Sequence, residues 1–112
     1  MSQAYHDENP AEVDRWLRRC DEVLALLDCA LRGCRSGSRP VVEEALRESM
    51  QCLELASEDV AGRVLGILEF CMSESADGRF DEAAEALADL KESWTEAIAS
   101  IRRDRSRAAN LN

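Results

Sequence analysis

From Val13 to Cys34 the apolar residues Val13, Trp16, Leu17, Cys20, Val23, Leu24, Leu27, Ala30, Leu31 and Cys34 return at steps of three and four without a miss. That spacing is the period of an α-helix, so the whole stretch reads as one long helix with one apolar side that must be covered. Composition extends the same conclusion to the rest of the chain. Ala, Leu, Glu, Arg, Met, Gln and Lys supply 62 of the 112 residues, against 10 for Val, Ile and Thr together. Helix formers in that excess predict an all-α fold.

The punctuation divides the chain into four helices. Asn9, Pro10 and Glu12 form a start signal, with a side chain that caps the first amides, a proline at the first helical position and an acid to reach back. Helix 1 opens at Pro10 and is ended by Gly33 and the Arg35-Ser36-Gly37-Ser38 run. Helix 2 restarts at Arg39-Pro40, carries Val42, Leu46, Met50 and Leu53 on one face, and closes near Leu55 or Ala56. Ser57, Glu58 and Asp59 suit the positive end of helix 3, which bears Val60, Val64, Ile67, Leu68, Cys71 and Met72 and stops at Asp77-Gly78. Helix 4 follows from Asp81 with the stripe Phe80, Ala83, Leu87, Leu90, Trp94, Ala97 and Ile101, and Arg102 and Arg103 suit its negative end.

Acid-before-Arg pairs four residues apart agree with these helices: Asp14 with Arg18, Asp28 with Arg32, Glu43 with Arg47 and Asp59 with Arg63. Four helices joined by short links predict an antiparallel up-down-up-down four-helix bundle. Residues 1–9 are expected to be a mobile lead, 10–105 a single bundle domain and 106–112 a frayed tail. Within the bundle, Leu24, Leu27, Leu31, Leu46, Met50, Leu53, Val64, Leu68, Leu87, Leu90, Trp94 and Ile101 are the expected core.

Charge and cysteine usage exclude several functions. The chain carries −9, and because residues 102 to 107 contribute +3, residues 1 to 101 carry −12. Such a field repels nucleic acid and anionic lipid. The longest apolar run, Val23 to Leu27, is far below the roughly 18 residues of a membrane span, and no basic-then-apolar leader opens the chain. No membrane insertion and a cytoplasmic location are therefore expected. Cysteines 20, 29, 34, 52 and 71 make no C-x-x-C clamp, and the sole histidine is His6, so neither a metal site nor a cofactor nor a base for a nucleophile is expected, and the chain reads as a non-enzyme.

What remains points to contacts between polypeptides. Cys20, Cys34 and Cys71 fall on apolar stripes, where a thiol acts as a small hydrophobe. Gly62 and Gly66 are one turn apart on helix 3, a spacing that admits either close packing of a neighbouring helix or an inserted peptide backbone. Trp94 is in register on the seam of helix 4, with an indole N–H that needs a partner. Trp16 widens the stripe of helix 1, which either fills the core or leaves a groove for another helix.

The segment Leu26-Leu27-Asp28-Cys29-Ala30-Leu31-Arg32 resembles the leucine-tyrosine-aspartate-glycine-alanine-leucine-arginine stretch of the flagellin-specific export chaperones, the FliS family, with Leu27 and Cys29 at the tyrosine and glycine positions. Leu90-Lys91-Glu92-Ser93-Trp94-Thr95-Glu96-Ala97-Ile98 is similar to that family's closing pattern, and the likeness extends from about Asp21 to Ile101. The resemblance implies a cytosolic chaperone, monomeric or weakly dimeric, that sequesters a disordered amphipathic segment of flagellin or another exported protein. Partner contact is then expected along helices 1 and 3, at Trp16, Leu27, Asp28, Leu31, Gly62, Val64 and Gly66, with Tyr5 of the lead covering the empty groove. A rival reading starts from Asp77-Gly78-Arg79-Phe80-Asp81-Glu82-Ala83, which looks like the turn of a tetratricopeptide helix pair and suggests a helical adaptor or regulatory bundle without chaperone activity.

Overall fold

A computed structural model of the chain describes residues 10–53 and 58–110. They form four helices, α1 (Pro10–Ser36), α2 (Arg39–Leu53), α3 (Glu58–Ala76) and α4 (Phe80–Asn110), and no strand occurs among the described residues. α1 begins at the proline that marks its start in the sequence. It runs through Gly33, however, and ends three residues later.

The stop is made at Gly37, whose φ of 70° is left-handed. Its amide donates to the Cys34 carbonyl at 3.1 Å, and the Ser38 amide to the Gly33 carbonyl at 2.9 Å, the paired bonds of a Schellman cap. α3 ends in the same way. Gly78, at φ 80°, donates to the Ser75 carbonyl at 3.1 Å, and Arg79 to the Glu74 carbonyl at 2.8 Å.

α1 packs on α2 and on α4, and α3 packs on α2 and on α4, so the four helices close a ring around one core. Leu27, Leu46, Leu53, Leu68 and Leu87 are fully enclosed at its centre, beside Val42 and Cys71. Of the expected core, Leu31, Val64 and Leu90 are buried as well, whereas Leu24, Met50, Trp94 and Ile101 are only half-buried. Two serines that the apolar stripes pass over lie fully inside: Ser49 Oγ donates to the Ala45 carbonyl at 2.8 Å and Ser75 Oγ to the Met72 carbonyl at 3.0 Å. Each hydroxyl stays bonded within its own helix, which is what makes its burial tolerable.

α1 and α4 are the long elements, about 40 and 46 Å at the helical rise, and they meet over much of that length. Lys91 Nζ reaches Asp28 at 2.7 Å, Trp94 Nε1 donates to the Cys20 carbonyl at 2.9 Å, Arg102 reaches Asp21 at 2.7 Å and Arg105 reaches Asp14 at 2.6 Å. Toward the start of α1, a smaller cluster of Leu17, Cys20 and Ile98 is buried, with Val13, Trp94 and Ile101 packed against it.

Several details of α4 and α1 correct the sequence reading. Ile98 takes the buried place expected of Ala97, which is exposed; both fit the three-and-four rhythm, and the larger side chain gains more from burial. α4 continues to Asn110, past Arg105, so Arg102 sits inside the helix and binds Asp21 instead of capping an end. Asp28 and Arg32 form the expected pair at 3.0 Å, while Asp14 turns from Arg18 to Arg105.

Candidate interaction surface

α3 buries Val64, Leu68, Cys71 and Ser75 on one side. The helical period then puts Gly62, Gly66 and Phe70 on a ridge of the other side, each one turn from the next. All three are exposed, Phe70 at 48%. Among the described residues, a Cβ built on Gly62 or Gly66 meets nothing within 4 Å, so none of these makes the close helix packing that the spacing admits. A glycine inside a helix costs about 1 kcal/mol relative to alanine. Two such costs, beside an exposed phenyl ring, have no return in packing among the described residues.

The glycine that does serve packing is Gly33. A Cβ there would stand 2.9 Å from Val41 Cγ1, 2.9 Å from Val42 Cγ2 and 3.2 Å from the Val42 amide nitrogen. Gly33 lets the start of α2 pack tightly on α1 after the Gly37 turn, and the sequence offers only its place four residues before that turn as a clue.

The remaining positions expected to bind a partner divide sharply. Trp16 is 42% exposed; it lies four residues before Cys20 and seven before Val23, on the core-facing side of α1. Leu27, Leu31 and Val64 are core residues, so as preformed contact points they are withdrawn: a partner touching them has to part the helices first. Asp28 is held by Lys91 at 2.7 Å and Arg32 at 3.0 Å, and the Lys91 ammonium draws its carboxyl below the ordinary value. It fastens α1 to α4. Tyr5 lies outside the described residues.

Burial decides the chemistry of the thiols. It pushes Cys71 up to about 12 and Cys20 up to about 11, and raises Cys34 and Cys52 as well. Thiols so shifted stay protonated near neutrality and are poor nucleophiles and poor ligands. All five cysteines are free, and among the described residues no group of three or more His, Cys, Asp or Glu is placed to hold a metal ion. Also among the described residues, no helix is long and apolar enough to cross a membrane.

The turn between α3 and α4 is tied by Arg79, which reaches Glu74 at 2.6 Å, Asp77 at 2.8 Å and Glu82 at 3.5 Å. The motif that looks like a tetratricopeptide turn is thereby occupied with its own closure.

Comparison of the chain with protein-family models, with curated proteins and with solved structures finds no match in any of the three.

Proposed function

We propose that this protein is a cytosolic, non-enzymatic binding protein of the flagellin export chaperone type, an antiparallel up-down-up-down four-helix bundle that holds a disordered amphipathic segment of an exported protein, flagellin foremost. The observation that carries the reading is the outer ridge of α3, where Gly62 and Gly66 are bare and Phe70 stands 48% exposed. An incoming helix can lay its backbone against the two glycines and its apolar side chains against the ring, the groove-binding mode of helix recognition. Trp16 offers a second exposed aromatic on α1. The likeness of Leu26 to Arg32 and of Leu90 to Ile98 to the chaperone family gives the cargo class. Support for the antiparallel order comes from the α1–α4 pairs, Asp14 with Arg105, Asp21 with Arg102 and Asp28 with Lys91.

The test is calorimetric titration of the full chain with a C-terminal flagellin segment. Binding with a negative heat-capacity change, weakened by Phe70→Ala and by Gly66→Leu and little changed by added salt, is the expected result. Absence of binding, or an affinity that collapses with salt, would overturn it.

A further inference from the structure

Between α1 and α2 runs an open groove of about 540 Å³, lined by Arg19, Glu22, Ala25, Leu26, Glu48, Gln51 and Cys52. Its floor is apolar, with Leu26 and Cys52 half-buried and Ala25 exposed. Further along the seam Val41 lies against Gly33 and is 41% exposed. Val41 and Cys52 share one face of α2 and stand about 16 Å apart at the helical rise, three turns of a helix laid beside it. Its edges carry two carboxylates, Glu22 and Glu48, and one cation, Arg19. Glu22 and Glu48 are close enough to Cys52 to help burial raise its thiol, against the opposing pull of Arg19, and Glu44 is exposed one turn from Glu48.

A groove between two helices, with Leu26 and Cys52 at its floor and more carboxylates than cations on its rim, selects both the shape and the charge of what can lie in it. A basic amphipathic helix matches on both counts, and the chain's −9 draws it in from a distance. The outer face of α4 supplies the contrast: Glu85, Asp89, Glu92 and Glu96 are all exposed there, and none of them lines the groove.

We propose that the acid-edged seam of α1 and α2 docks a short basic amphipathic helix of a partner polypeptide, with aliphatic side chains over Leu26, Cys52 and Val41 and lysines or arginines against Glu22, Glu44 and Glu48. This surface is separate from the α3 ridge, and its occupancy does not depend on what binds there.

The probe is a leucine–lysine amphipathic peptide of about three helical turns, titrated into the full chain, with its leucine–glutamate counterpart as the opposite-charge control. The basic peptide is expected to bind, the acidic one not, and Cys52 is expected to be shielded from iodoacetamide in the complex, read by mass mapping. Glu22→Lys with Glu48→Lys should weaken binding by about tenfold or more, and Glu85→Lys with Glu92→Lys by less than about twofold. Equal weakening by both pairs would reduce the effect to diffuse charge and overturn the proposal. So would an unchanged rate of Cys52 alkylation in the complex, or failure of the basic peptide to bind. All four glutamates are exposed, so thermal melts of the variants should match the parent; the Cys52 readout on the unaltered chain decides the matter without them.

Discussion

At the scale of single residues, three helical glycines with the same intrinsic cost lie in opposite surroundings. Gly62→Ala and Gly66→Ala place a methyl in open space on a helix and should each raise stability by roughly 0.5–1 kcal/mol in urea melts. Gly33→Ala brings its Cβ to 2.9 Å from two valines and 3.2 Å from a backbone nitrogen, and should lower stability instead. If the three shifts share one sign, the packing at Gly33 is not as described. The sequence shows the Gly62 and Gly66 pair at once, because spacing is visible in a linear string. It does not show the role of Gly33, because that role arises only when α2 packs against α1. The serines at 49 and 75 escaped for a related reason: a hydroxyl bonded to its own helix is apolar to its neighbours, and no periodicity scan scores it so.

Whole helices were the most legible feature, since caps, proline, stripes and paired charges all mark the same segments. What the stripes left open was the choice between adjacent candidates, as with Ala97 and Ile98, where either residue satisfies the rhythm and only the position of α1 selects. The join between α1 and α4 was also hidden, because it links positions as far apart as Asp14 and Arg105. It makes stability depend on acid. Hydrogen bonding to Arg105 lowers Asp14 and hydrogen bonding to Lys91 lowers Asp28, each from 3.8. A carboxyl whose folded value is depressed contributes in full above its unfolded value, and that contribution is lost as pH falls through the folded one. Denaturant midpoints should therefore hold steady down to about pH 4 and drop below it. Asp28→Asn should flatten that drop; an unaltered profile would show that the pair with Lys91 does not survive in solution. Inside the ring, Leu87→Ala removes a fully enclosed side chain and should cost about 2–5 kcal/mol in urea. Phe70→Ala, on the exposed ridge, should cost far less, and the ratio of the two separates core from surface on the shared α3 and α4 layer.

For the molecule as a whole, the thiols form a graded set of reporters. Cys20, Cys34 and Cys71 are buried while Cys29 and Cys52 are half-buried. Alkylation of the native protein should modify the latter pair first, and the other three only at the rate at which the bundle opens. Modification of all five at one rate would mean that the ring is not closed.

That opening has a preferred place. The clasps between α1 and α4 join residues 63, 81 and 91 positions apart, whereas the α1–α2 and α3–α4 links turn within a few residues. Contacts across so long an intervening chain carry the largest closure entropy, and the two widest-spaced clasps, Asp21 with Arg102 and Asp14 with Arg105, belong to the end of the bundle that holds the small cluster at Leu17, Cys20 and Ile98. The shared core can then form first and be latched afterwards at this end, and the latch gives way first. In native-state hydrogen exchange, amides around Leu17 and Ile98 should trade with solvent through a partial opening well before those around Leu46 and Leu68. The start of α1 and the end of α4 would then behave as a clip that releases and recloses while the rest of the bundle stays shut.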